Sequence, residues 1–139
     1  MRLTVRGHSQ TSRKGYVVDA IDTVSGKIEI ILQAKKAEVP VISCMGAGNK
    51  LDPTAFVVTD IYKTSVCPLA RVIRQKLKKL GVQDLKVVYS TEKAMKPNYP
   101  PDMPPQRKVA PGSVAFVPSV AGIIAGGEVI KDLIGYSNN

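Results

Sequence analysis

Two aspartates, Asp19 and Asp22, fall where the stretch Tyr16 to Lys27 changes its apolar period from two to about 3.6. Val17 and Val18 open it as a β-branched run, and from Val24 onward Ile28, Ile31 and Leu32 mark one helix face that reaches about Lys36. The reading is strand, acidic turn, helix. In an open parallel sheet, ligands sit beyond the carboxyl ends of strands, where loops converge on helix N-termini. A carboxylate at Asp22 suits a hard cation that takes oxygen ligands, such as Mg²⁺ carried by a nucleotide. The plainer alternative makes Asp22 the N-cap of the helix, worth about 1 kcal/mol. Spacing alone leaves both open, the cap being the commoner outcome.

The next chemistry-bearing residues follow a second strand, Val39 to Cys44. Gly46-Ala-Gly48 comes directly after it, too short for a dinucleotide fingerprint, which needs Gly-x-Gly-x-x-Gly between strand and helix. The two glycines read first as a tight turn, with close backbone approach to a bound substrate as the other reading. Asp52-Pro53 is a turn signal in its own right. Phe56 to Ile61 reads as another strand, and the polar connection Tyr62 to Cys67 after it carries Lys63. Pro68 then opens a helix whose inward stripe is Leu69, Val72, Ile73, Leu77 and Leu80, with Gly81 ending it. Its other face carries Arg71, Arg74, Lys78 and Lys79. Asp22, the glycine turn and Lys63 are expected along one rim of one sheet.

Tyr16 to Lys27, Pro40 to Thr54 (Pro-Val-Ile-Ser-Cys-Met-Gly-Ala-Gly-Asn-Lys-Leu-Asp-Pro-Thr) and Thr59 to Arg71 (Thr-Asp-Ile-Tyr-Lys-Thr-Ser-Val-Cys-Pro-Leu-Ala-Arg) together resemble the ThiF/MoeB/HesA family. These are adenylating enzymes related to the ubiquitin-activating enzymes, and the likeness is strongest to the tRNA threonylcarbamoyladenosine dehydratase branch. It covers nearly everything after Gly15 but only the second half of the family's domain. The resemblance implies ATP and Mg²⁺ as cofactors, with Asp22 as the metal aspartate and Gly46 and Gly48 beside the nucleotide. It implies that Lys63 and Arg71 face an anionic substrate, the carboxylate of a threonylcarbamoyl group on tRNA. It also suggests Cys67 as a thioester-type nucleophile. A thiolate there would gain from the helix N-terminus, Lys63 and Arg71, whereas a free cysteine is most often a small buried hydrophobe.

The family's glycine-rich phosphate loop and ribose-binding acid have no counterpart here, so the polypeptide is expected neither to hold ATP tightly nor to adenylate by itself. Two other readings stay open. One is an adenylyltransferase for a ubiquitin-like sulfur carrier, which usually adds paired Cys-x-x-Cys zinc ligands. The other is a non-catalytic remnant that dimerises or holds RNA.

The elements that position these residues make an α/β fold, a three-layer Rossmann-like mixed sheet corresponding to the C-terminal half of the ThiF/MoeB-type domain. The strand Val17 to Ile21, the helix Val24 to Lys36 and the strand Val39 to Cys44 form a right-handed βαβ crossover. Residues 1–15 read as a basic segment outside the family, partly disordered or loosely paired with a sheet edge. Residues 16–139 make the family-like domain. Leu85 to Ser90 is its last clear strand, 92–112 is a proline-rich loop, and an apolar helix spans about 119–134. Relatives use that helix to pack the domain and pair subunits, which implies a homodimer. Glu128, Lys131 and Asp132 interrupt it short of a bilayer span.

With 139 residues, one domain is expected. Apolar and charged fractions of 44% and 22% are ordinary for a globular chain, which argues against wholesale disorder. The net charge of +9 comes from 20 basic and 11 acidic residues, with basic clusters in the first 14 residues, from Arg71 to Lys79, and on the flanks of the proline-rich loop. Such patches attract polyanions, so tRNA is an expected partner, against the bland reading of a solvated basic face. Two cysteines 23 positions apart and one histidine cannot assemble a four-ligand zinc site within one chain. No apolar signal segment precedes Gly15, and the expected location is cytoplasmic.

Overall fold

β-branched runs and apolar helical stripes alternate along the chain, and each becomes the element its period demands. The computed structural model describes residues 2–6, 13–48, 50–95, 101–102 and 116–136. In order these give β1 (Arg2–Arg6), β2 (Arg13–Asp19), α1 (Val24–Lys36), β3 (Val41–Cys44), β4 (Phe56–Asp60), α2 (Pro68–Lys79), β5 (Lys86–Ser90) and α3 (Phe116–Ile134). Short 3₁₀ turns, Pro53–Ala55 and Ile61–Lys63, flank β4. The helix α1 has the bounds its periodicity predicts. The first family strand does not: it begins at Arg13 and ends at Asp19 rather than running from Val17 to Ile21. β1 pairs antiparallel along it, Arg2 opposite Val17 and Arg6 opposite Arg13. The opening segment therefore supplies a sheet edge, while its residues 7–12, like most of the proline-rich loop, lie outside the described residues.

The five strands lie in the order β1-β2-β3-β5-β4. β2, β3 and β5 are mutually parallel, whereas β1 and β4 run antiparallel to their neighbours. Adjacent residues of a strand face opposite sides, and that alternation builds two cores. Val41, Val87 and Tyr89 pack with Ile31 and Ala34 of α1 and Ile73 and Leu77 of α2. Ile42, Val88, Tyr16 and Phe56 pack with Val117, Ala121, Ala125 and Val129 of α3. The result is three layers, with α1 and α2 on one face and α3 on the other. No helix among the described residues is long and apolar enough to cross a membrane.

The inward stripes are narrower than the sequence reading. In α2 the buried residues are Ala70, Ile73 and Leu77, while Val72 and Leu80 are exposed. In α3, alanines at 121 and 125 take the inward positions and Ile123, Ile130 and Ile134 face outward. Small side chains let the helix axis approach the sheet, and the larger isoleucines are left on the far side.

A polar cluster ties α3 to the sheet. The Tyr16 hydroxyl donates to Asp132 Oδ2 at 2.5 Å, and Lys86 Nζ donates to the same carboxylate at 2.8 and 3.0 Å. Burial acting alone would raise the Asp132 carboxyl, but hydrogen bonds from Lys86 and Tyr16 and the Lys86 charge draw it below the ordinary range. Burial, with the bond to Asp132 and the charges of Asp132 and Glu128, pushes the Tyr16 hydroxyl well above its usual range. A depressed carboxyl contributes stability above its unfolded value, about 3.9, that is lost as pH falls through the lower folded value. A raised phenol contributes stability below its unfolded value, about 10, that is lost as pH climbs through the higher folded one. Asp132→Asn should therefore flatten the acid limb of a plot of melting temperature against pH, measured by circular dichroism. Parallel acid limbs for the variant and the parent chain would show that the contact contributes nothing.

Candidate functional site

The carboxyl ends of β2 and β3 lie side by side, with Asp19 in parallel register beside Ser43. Alternation points the Asp19 side chain inward, where it is fully buried. Its carboxylate accepts from Ser43 Oγ at 2.5 Å, from Lys27 Nζ at 3.1 Å and from the Ile21 amide at 3.2 Å. Lys27 occupies an inward position of α1, in line with Ile31 and Ala34, and is only 1% exposed. Its ammonium also donates to the Cys44 carbonyl at 2.6 Å. Taking two charges out of water costs several kcal/mol each unless they are paired and their remaining hydrogen-bonding capacity is met. Here both conditions hold, and one lysine joins the ends of two strands. The neighbouring Cys44 thiol is pushed up by burial, with Lys27 lowering and Asp19 raising it.

That pair shapes the acidic turn. The Ile21 amide is fixed to Asp19, and two residues later Thr23, not Asp22, caps α1, its side chain accepting from the Gly26 amide at 3.3 Å. Gly26 keeps the corner compact, since a Cβ there would fall 2.4 Å from Ile21 Cδ1 and 2.6 Å from Thr23 Oγ1. Because Thr23 does the capping, Asp22 is left exposed between the two anchors, and its carboxylate has no hydrogen bond or ion pair with the described residues. The two aspartates thus divide: Asp19 is committed to an ammonium, and Asp22 is available to a ligand. One free carboxylate is the usual protein share of a Mg²⁺ site whose other oxygens come from phosphate and water. Among the described residues no cluster of three His, Cys, Asp or Glu side chains can hold a metal alone.

The glycine turn stands at the same end of the sheet. The Met45 amide donates to Val88 of β5 at 2.8 Å, and Gly46 lies against Leu69 in the first turn of α2. A Cβ at Gly46 would meet Leu69 at an ordinary 3.8 Å, and the backbone there is not left-handed, so sterics do not demand glycine. Gly48 lies in the turn that follows. Beyond it, Glu92 accepts from the Leu51 and Asp52 amides and fastens the loop to the end of β5.

Lys63 does not share this rim, contrary to expectation. β4 is antiparallel to β5, with Phe56 opposite Ser90 and Asp60 opposite Lys86. The turn after β4 therefore emerges at the amino end of β5, where Lys63 helps line a cavity of about 520 Å³ with Tyr16, Lys35, Asp60, Asp84 and Lys86. Arg71 stays with α2, exposed beside a second hollow of about 540 Å³ that also involves Ser65, Pro68 and Arg74. Cys67 borders the same hollow, but its burial disfavours the nucleophile reading. The residue is 5% exposed and packs with Ile61, Ala70 and Ile73, which is the setting of a small hydrophobe rather than an accessible thiolate. Sequence reasoning missed the Asp19 and Lys27 pair. The available signal was a lysine in phase with the inward stripe of α1, eight residues after an aspartate ending a strand.

Against known proteins, no family model matches the chain. It is 43% identical over 128 residues to the tRNA threonylcarbamoyladenosine dehydratase of Bacillus subtilis, an alignment covering 86% of this chain and 50% of that protein. The Escherichia coli dehydratase is 39% identical over 93 residues, 59% of this chain and 34% of that one. Among solved structures, E. coli tRNA N6-threonylcarbamoyladenosine dehydratase, TcdA, in complex with AMP superposes with a TM-score of 0.74 at 30% identity, covering 86% of this chain and 48% of that chain. The ATP-bound HcgE of Methanothermobacter marburgensis, at 22% identity and a TM-score of 0.56, shares the fold. The chain spans about half the length of the Bacillus relative and of the E. coli structure.

Removing one member of a buried pair strands the other charge. Lys27→Met should lower the unfolding free energy by about 3–5 kcal/mol in urea titrations. Adding Asp19→Asn should recover part of that loss, because the stranded carboxylate is then neutral. Additive losses in the double variant would mean that the two side chains are not coupled.

Proposed function

Because the chain is kin, over about half their length, to the tRNA threonylcarbamoyladenosine dehydratases of the ThiF/MoeB/HesA adenylating family, we propose that it supplies the acidic carboxyl-end rim of a carboxylate-adenylating site. The carboxylate it serves is that of a threonylcarbamoyl group on tRNA. The observation that carries this reading is the unengaged Asp22 carboxylate, held at a strand end between the Asp19 anchor and the Thr23 cap. Carboxylates are poor electrophiles at neutral pH. In the proposed reaction a carboxylate oxygen attacks the α-phosphorus of ATP, pyrophosphate leaves, and an internal nucleophile then closes a ring and expels AMP. Mg²⁺ bound with the phosphates would offset their charge. Asp22 is the residue of this chain that fits as its protein ligand. The locked turn keeps that carboxylate placed before substrate arrives, which is how rigid sites avoid reorganisation in the transition state.

A triphosphate also needs a cradle of backbone amides, normally a glycine-rich loop at a helix N-terminus. Nothing in these 139 residues resembles one. The polypeptide by itself should bind ATP no more tightly than about millimolar, a weak-affinity regime, and should release no pyrophosphate when given ATP and threonylcarbamoylated tRNA. Sub-millimolar binding by calorimetry, or ATP-dependent pyrophosphate release, would overturn this.

The tRNA part of the proposal is supported by α2. Arg71, Lys76, Lys78 and Lys79 are exposed, and among the described residues none of them has an ion-pair partner, whereas Lys27, Lys35, Lys86 and Lys131 all do. Unpaired cations along one helix suit a phosphodiester backbone. Filter binding of tRNA should weaken with salt at a log–log slope of about −3, and Lys78→Ala with Lys79→Ala should reduce that slope by about 1 to 2. An unchanged slope would remove α2 from the interface. The outward isoleucines of α3, Ile123, Ile130 and Ile134, support pairing of two copies through that helix.

A further inference from the structure

Lys50 is the second buried lysine, and its situation is the reverse of that of Lys27. It is 2% exposed, and its Nζ has no hydrogen-bond partner among the described residues. It lies on the loop between the glycine turn and Pro53, at the carboxyl-end rim. Its backbone is not free to carry the side chain elsewhere, because the next two amides, Leu51 and Asp52, are bound to the Glu92 carboxylate at 2.9 to 3.1 Å. Nor do the nearby acids along the loop pair with it, since among the described residues no carboxylate forms an ion pair with Lys50. Glu92 is engaged by those two amides, and Asp52 accepts from the Thr54 amide at 2.8 Å and the Thr54 hydroxyl at 2.5 Å.

A buried ammonium with no acceptor is among the costlier arrangements a fold can hold, and an oxyanion placed against it recovers most of that cost. Lysine is a compact point charge with three donors, matched to one carboxylate or one phosphate group. The burial of the ammonium excludes contact with an extended polyanion such as an RNA backbone. From these observations we infer that Lys50 anchors one small oxyanion, a carboxylate or phosphate group of a ligand taken in at the carboxyl-end rim. The site differs from the Asp22 carboxylate in sign: Asp22 offers negative charge to a cation, and Lys50 offers positive charge to an anion. The inference goes beyond the adenylation reading and does not need ATP to be the ligand.

The test uses the whole chain and two probes, inorganic phosphate and acetate, each followed by calorimetry and by thermal shift. At least one should bind and raise the melting temperature, and the one that does identifies the group as phosphoryl or carboxyl. Lys50→Met should weaken that binding at least about tenfold, while Lys50→Arg keeps most of it. Without probe, Lys50→Met should melt at or above the temperature of the parent chain, because the unpaired charge is gone, so its loss of binding is not loss of fold. Failure of both anions to bind the parent chain, or equal binding by Lys50→Met, would overturn the assignment. Pyrophosphate release is not read in this experiment, so an inactive adenylation site would leave its outcome standing.

Discussion

An aspartate and a lysine, both withdrawn from water, hold together the end of this sheet on which the proposed chemistry depends. Lys27 reaches from the first turn of α1 to the last residue of β2 and to the Cys44 carbonyl at the end of β3, while Asp19 takes Ser43 and the Ile21 amide in return. Hydrophobic residues of similar volume could fill this space at equal or better stability. They could not make directional bonds to a strand end, a turn amide and a neighbouring strand together. The pair therefore sets geometry more than it adds stability, and the geometry it sets is that of the turn carrying Asp22.

Charge is partitioned across the molecule in a way that its total of +9 does not reveal. Three cations near the sheet are engaged: Lys27 with Asp19, Lys35 with Asp84, Lys86 with Asp132 and Glu128. Among the described residues, those on the exposed face of α2 have no such partners. Polar satisfaction near the core and unpaired charge on one outer helix are what the proposed reading requires, a domain rigid inside and attractive to a polyanion outside. Lys50 stands apart from both groups as a buried charge whose partner is not in the described part of the chain.

Antiparallel pairing of a single strand redistributes the residues that sequence order had grouped together. Because β4 runs against β5, Asp60 and the Ile61–Lys63 turn are delivered to the amino end of the parallel strands. The Ser65–Cys67 segment then returns to place the first turn of α2 against Gly46. Residues four positions apart, Lys63 and Cys67, thus belong to different surroundings: one lines a polar cavity at the far edge, and the other is packed in the core.

Local pattern was enough for α1, for the limits of α2 to within a residue or two, for the three-layer class and for the acidic corner after β2, because the change of apolar period and the Pro68 and Gly81 signals act over a few residues. The kinship was legible in the spacing of Asp22, the glycine turn and the Pro-Leu-Ala run. Strand direction was not, since both directions of β4 bury the same side chains and differ only in which distant edge they pair with. Nor was the capping role, which falls to Thr23 and not Asp22 once the buried bond to Asp19 fixes where the helix begins. The fates of Lys27 and Lys50 were decided last, because whether a buried ammonium finds an acceptor depends on which strand ends and loops the completed sheet brings beside it.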